Sequence, residues 1–208
     1  MAFPLLPFLF AAGATLVVTS SKGKMTPTAV AAAIYNAYKG RGEMSRLLAN
    51  DIVVVALRVK ADPFALANLI NFESGFKSKI ENGWCVRVKG GDQGLCGVGL
   101  IQFMPRTCVR LFGMKDTPAN RVIAAKRMRA LSAHEQMPWV QLYLERASGG
   151  RSLKNPASLY MAVFYPAYIG KPDKLFPPKV VEQNGGMTKP RDYIAKVGKN
   201  ALLPTTTA

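Results

Sequence analysis

The sequence predicts a mainly α-helical domain preceded by one membrane-spanning helix, and three observations carry that prediction. Apolar residues recur at helical spacing, as in the stripes Leu66, Leu69, Ile70 and Tyr160, Met161, Phe164. Neither an internal repeat nor a G-x-G-x-x-G inside a βαβ unit occurs. The first 21 residues, MAFPLLPFLFAAGATLVVTSS, hold no charged side chain, and as a helix they would span about 30 Å, the thickness of a bilayer core.

In chain order, residues 1–24 form the expected membrane segment. Pro4 and Pro7 sit where a first turn tolerates them. The segment lacks the basic leading region of a secretory signal, which favours a retained anchor over a cleaved leader or an apolar arm packed on protein. Lys22, Lys24, Lys39, Arg41 and Arg46 all follow it, so the positive-inside rule leaves the remaining chain on the cytoplasmic side. Residues 25–44 are expected as a linker helix, opened by Thr26-Pro27 and closed near Gly40. A second helix is expected over 43–59; its IVVVAL centre also suits a buried strand, but the length favours helix. Asp62-Pro63 and Ser74-Gly75 bracket a third. Residues 77–99 read as a long polar loop, and loops of that length inside a compact domain are usually functional. Short helices are expected near 105–113, 118–131 and 134–147, then one over 156–165 that Pro166 ends. A Pro- and Lys-rich tail carries one short helix near 190–197. The main domain is placed at 45–199, with a tail over 200–208.

Composition narrows the partners. With 49% apolar and 19% charged residues the chain is not intrinsically disordered. Its 28 Lys+Arg against 12 Asp+Glu give a net charge of +16, a field that favours nucleic acid, anionic lipid or bacterial cell wall without choosing among them. No metal site is expected: Cys85, Cys96 and Cys108 form no C-x-x-C pair, and His134 is the sole histidine. Cys85 and Cys96 flank the Gly-rich loop and either pair in an oxidising compartment or remain small buried residues in a reducing one. Cys108 is expected free on a helix.

The chemistry centres on FALANLINFESGF, residues 64–76. Glu73 continues the apolar stripe of Leu66, Leu69 and Ile70. A carboxyl there is either a solvated edge residue or a desolvated acid with a raised pKa. Two further motifs follow in order, Gly97-Val98-Gly99-Leu100-Ile101-Gln102-Phe103-Met104-Pro105 and Tyr160-Met161-Ala162-Val163-Phe164-Tyr165-Pro166. Together with Glu73-Ser74-Gly75-Phe76 this order resembles the soluble-type lytic transglycosylases, lysozyme-like enzymes related to goose-type lysozyme. Their pattern is E-S-x-F, G-L-M-Q-x-M-P, then an aromatic helix ending A-Y-N. His134-Glu135-Gln136-Met137 running to Tyr143-Leu144 is similar to a helix of phage-encoded members. The resemblance covers residues 45–170, about 60% of the chain.

The resemblance implies a lysozyme-like fold, no cofactor, and Glu73 as the catalytic acid/base. It implies Gln102, Met104, Tyr165 and Ser74 as substrate-binding residues. The physical reading agrees at Glu73, since glycosidic cleavage needs an acid that still holds its proton near neutral pH. Gln102 can donate to and accept from N-acetylated sugars, and the glycines let backbone approach a saccharide closely. Alternatives stay open at single positions: Met104 as core packing, Tyr165 as a core aromatic, His134 as a cap or surface residue rather than a base, Gln136 as structural or groove-lining. Two departures stand out. Ile101 replaces the usual methionine, and Phe164-Tyr165-Pro166 replaces A-Y-N, leaving any role of that asparagine unfilled.

Glycosidases ordinarily need a second carboxylate, and only Glu81 and Asp92 of the loop lie near enough in sequence. Lytic transglycosylases manage with one glutamate because the substrate's acetamido group and 6-hydroxyl do the remaining work. The expected protein is therefore a peptidoglycan-cleaving lytic transglycosylase acting on the MurNAc-β-1,4-GlcNAc bond. The phage-like motifs suggest a virion-associated, membrane-tethered enzyme that opens the wall when a genome enters the cell, alongside other virion proteins. The competing expectations are a hydrolysing muramidase, a bacterial inner-membrane enzyme facing the periplasm, and a non-catalytic basic virion protein contacting DNA or membrane.

Overall fold

The computed structural model describes residues 25–80 and 96–203, and within them the chain is mainly α-helical. The helices are α1 (Pro27–Tyr38), α2 (Arg46–Arg58), α3 (Pro63–Ser74), α4 (Pro105–Leu111), α5 (Pro118–Ala130), α6 (Ala133–Ser148), α7 (Pro156–Phe164), α8 (Pro178–Gln183) and α9 (Pro190–Lys199). Among the described residues no helix is long and apolar enough to cross a membrane. The expected membrane segment, and Cys85, Glu81 and Asp92 with it, lie outside the described residues.

Local chemistry sets the boundaries. Seven of these helices begin with proline, whose missing N–H is one of the donors a first turn leaves unpaired anyway. Side chains of Thr26, Asp62, Thr117 and Asn155 accept from first-turn N–H groups of the helices they precede. Ser45 does the same for Leu48 at 3.1 Å, so α2 starts at Arg46 rather than at 43. Ser132 and Glu135 form a reciprocal capping box. That box starts α6 at Ala133 and makes His134 its second residue rather than a residue ahead of the helix.

The core gathers around α3, which buries residues on every side: Leu66, Leu69 and Ile70, but also Asn68 and Asn71. Helices α1, α2, α7 and α9 pack against it. Residues 25–44, expected as a linker, instead supply Ile34 and Tyr38, both fully buried. The tail also belongs to the core, because α9 buries Tyr193 and Val197 and a second short helix, α8, precedes it. Beyond α9 the chain is tied to the polar edge of α3. Asn68 Nδ2 donates to the Leu203 carbonyl (2.9 Å), Asn71 Nδ2 donates to the Asn200 carbonyl (3.3 Å), and the Tyr38 hydroxyl bonds Asn68 Oδ1. Two carboxamides inside an apolar helix are thereby satisfied, as buried polar groups must be.

Candidate active site

Glu73 sits in the last turn of α3, which Gly75 ends in the left-handed conformation at φ 58°. Tyr193, 120 residues further on, reaches back from α9 and donates its hydroxyl to Glu73 Oε1. Its ring stacks on Phe164 with centroids 4.4 Å apart and meets the edge of Phe72 at 5.6 Å. The half-buried Glu73 therefore lies among aromatic walls with a single donor among the described residues. Burial pushes its carboxyl up to about 7, with the Tyr193 hydrogen bond pulling the other way. Burial first, and then the neighbouring Glu73 charge, push Tyr193 well above the ordinary tyrosine range. Of the two readings of Glu73, the aromatic surroundings and the raised pKa accord with the desolvated acid.

Residues 97–105 carry the second motif and fold back on themselves. Val98 and Phe103 exchange backbone hydrogen bonds of 3.0 and 2.8 Å, closing a tight hairpin. One side chain fixes it in place: Gln136 of α6, fully buried, accepts from Leu100 N at 2.8 Å through Oε1. Its Nε2 donates to the carbonyls of Ser78 (2.9 Å) and Met128 (3.0 Å). Gly99 is required there, because its φ is +76° and a Cβ would stand 2.3 Å from Gln136 Oε1. Gln136 is thus a bracket rather than a groove-lining residue. Tyr143 links hairpin to acid. Its ring meets Phe103 edge-on at 5.9 Å, its hydroxyl donates to the Ala162 carbonyl, and burial together with the Glu73 charge pushes that hydroxyl up to about 12.

The remaining expected residues divide. Gln102 takes a left-handed φ of 54°, donates through Nε2 to the Gly99 carbonyl, and keeps its Oε1 buried with no hydrogen-bond partner among the described residues. Met104, which caps α4 without a side-chain bond, is 54% exposed, so core packing is not its role. Ser74 is buried and donates its hydroxyl to the Ile70 carbonyl at 3.1 Å. That bond is spent inside α3 and leaves the expected substrate-binding role without geometric support. Tyr165 packs against Tyr168 and Phe176, at 4.8 and 5.9 Å, and the hydroxyl that meets Glu73 is that of Tyr193. His134 pairs through Nδ1 with Asp51 at 2.5 Å, tying α6 to α2. Cys108 is buried in α4, and its thiol is pushed up to about 12 by burial. Cys96 is buried beside the hairpin.

Known proteins add nothing further. No family model matches the chain, and neither a curated protein nor a solved structure matches it significantly.

Tyr193 is the functional residue that sequence reasoning missed. The signal was the Pro190 helix start with Tyr193 and Val197 four apart on one face; nothing local says which helix that face meets. A second anchoring carboxylate also went unnoticed. Glu43 accepts from Ser78 N (2.8 Å) and Ser78 Oγ (2.5 Å) through Oε1, and from Ala133 N (2.9 Å) through Oε2. It pins the strand of chain leaving α3 to the start of α6.

Proposed function

We propose that this protein is a lytic transglycosylase of lysozyme-like fold that cleaves the MurNAc-β-1,4-GlcNAc bond of peptidoglycan. One observation carries the reading: a glutamate desolvated by aromatic rings, holding its proton up to about pH 7, at the end of the central helix and linked through Tyr143 to the Gln102 hairpin. In this reading Glu73 donates its proton to the departing GlcNAc oxygen as the C1–O bond breaks, and the substrate's acetamido oxygen takes up C1. The resulting carboxylate then removes the proton of the muramic 6-hydroxyl, whose oxygen displaces the acetamido group to close the 1,6-anhydro ring. The acid is restored and no water is consumed. Such a group must be neutral for the first step and basic for the second, which a pKa near the working pH serves. The other described carboxyls that titrate abnormally are held elsewhere: Glu43 by Ser78 and Ala133, Asp51 by His134, Asp116 by Arg121, Glu135 by Ser132, and Asp192 by Thr188 and Lys189. A one-acid mechanism accords with these assignments, which cover the described residues alone.

Membrane tethering by residues 1–24, carriage in a phage virion beside other virion proteins, and contact with nucleic acid through the +16 charge form the wider part of the proposal. Mass spectrometry of peptidoglycan digests tests its centre. Muramic ends lighter by one water are expected, reducing ends would instead indicate a muramidase, and an undigested wall would remove the enzyme reading.

A further inference from the structure

A cleft of about 510 Å³ opens at the C-terminal end of α3, with Arg41, Lys77, Asn71, Phe72 and Asn200 on its walls. No carboxylate lines it among the described residues. Its charge is held in position by the backbone. Gly40 and Gly42, with φ of 84° and 49°, arch the chain so that Arg41 overhangs the cleft. A Cβ on Gly42 would stand 2.3 Å from the Gly75 carbonyl oxygen, so only glycine lets the arch press against the end of α3. Glu43 N bonds the Phe76 carbonyl at 2.9 Å and locks the contact. The Arg41 guanidinium lies over the Tyr38 ring at 5.8 Å and donates through one nitrogen to Asn71 Oδ1 at 3.0 Å. That aims the group while leaving most of its five N–H donors for a ligand.

Phe72 joins this cleft to the candidate active site. It lines the cleft, precedes Glu73 in α3, and its ring meets Tyr193, the residue bonded to Glu73. A ligand in the cleft thus shares a wall with a glycan strand on Glu73. In the proposed substrate, stem peptides branch from the muramic residues and carry free carboxylates along a chain of amides. A planar guanidinium takes such carboxylates two-pronged, Lys77 adds a second positive charge, and the exposed Asn200 carboxamide, bonded through Nδ2 to the Lys196 carbonyl, can also meet peptide amides.

We infer that the Arg41–Lys77 cleft is a subsite for the stem-peptide carboxylates of peptidoglycan, an inference that rests on the proposed function. The test is titration of the full-length protein with a synthetic stem tetrapeptide, against the same peptide with its carboxyls amidated, followed by NMR. Amidation and Arg41→Gln should each weaken binding about tenfold or more, the loss expected on removing a charge-assisted bond. Lys77→Gln, at an exposed position on the rim, should weaken it less and guards against misfolding of the Arg41 variant. Equal binding of the free and amidated peptides would overturn the inference. So would displacement of the peptide by a short DNA duplex with the same Arg41 dependence, which would mark a phosphate site. Cleavage of peptide-stripped glycan strands by the unaltered protein reads the Glu73 chemistry alone. Stripped strands left intact alongside tight, Arg41-dependent peptide binding would therefore remove the proposed reaction and keep the subsite.

Discussion

Glu43 and Glu73 lie 30 residues apart and show what decides the charge on a carboxyl. Three donors converge on Glu43, two from Ser78 and one from Ala133. Burial alone would raise its pKa, but those bonds outweigh it and hold the carboxyl below the usual glutamate range. Glu73 loses water to aromatic rings and gains one hydroxyl in return, so burial wins and the carboxyl rises to about 7. The comparison teaches that the count of donors against the loss of water sets the charge, not proximity to either one. Glu43 is fit to anchor and Glu73 to exchange a proton.

The comparison breaks hardest at Glu73. Glu73→Gln keeps the shape but cannot deliver a proton, so turnover of purified peptidoglycan should fall by about 10² to 10⁴. Because the amide does not ionise, the variant should gain stability relative to the parent at alkaline pH. Next in size is Gly99→Ala, which forces a side chain into a left-handed backbone and against Gln136; urea denaturation should show a loss of about 2–4 kcal/mol. Glu43→Gln removes the charged anchor and should cost about 1–2 kcal/mol.

The two glutamates also impose opposite pH dependences on folding. The Glu43 pKa is lowered on folding, so its contribution is complete above the ordinary glutamate range and is lost as pH falls through the folded value. The Glu73 pKa is raised, so its contribution is complete below that range and is lost as pH climbs towards about 7. Denaturation curves of the two glutamine variants across pH 3 to 9 separate the two slopes. The smallest effect is expected for Tyr193→Phe, which keeps the stacked ring on Phe164 and removes only the donor. Since that bond lowers the Glu73 pKa, the alkaline limb of the pH–rate profile should move to higher pH with a several-fold loss of rate.

Helix signals near one another in sequence were legible; contacts across the chain were not. Asp62-Pro63 and Ser74-Gly75 mark the ends of α3 because caps act within one turn. The same locality explains the error at α2, where the turn over Glu43 and Met44 looks helical in pattern until Ser45 takes the cap. Glu73 could be singled out in the sequence because it continues an apolar stripe on its own helix. The role of Gln136 was not, since its partners come from Ser78, Leu100 and Met128. Tyr193, rather than the expected substrate-binding Tyr165, meets Glu73 for a related reason. Phe164, Tyr165, Tyr168, Phe176 and Tyr193 form one aromatic cluster, and only the packing of α9 on α7 and α3 decides which ring faces the acid.

The central claim is that α3 and α9 hold the Glu73 carboxyl neutral into the physiological range, and its titration tests this most directly. With glutamate labelled at the side-chain carboxyl carbon, and Glu73→Gln used to assign the signal, the chemical shift of Glu73 should follow a midpoint at about pH 7. A midpoint in the ordinary glutamate range, near 4.3, would show a solvated carboxylate at the end of α3 and contradict the assignment of Glu73 as the acid.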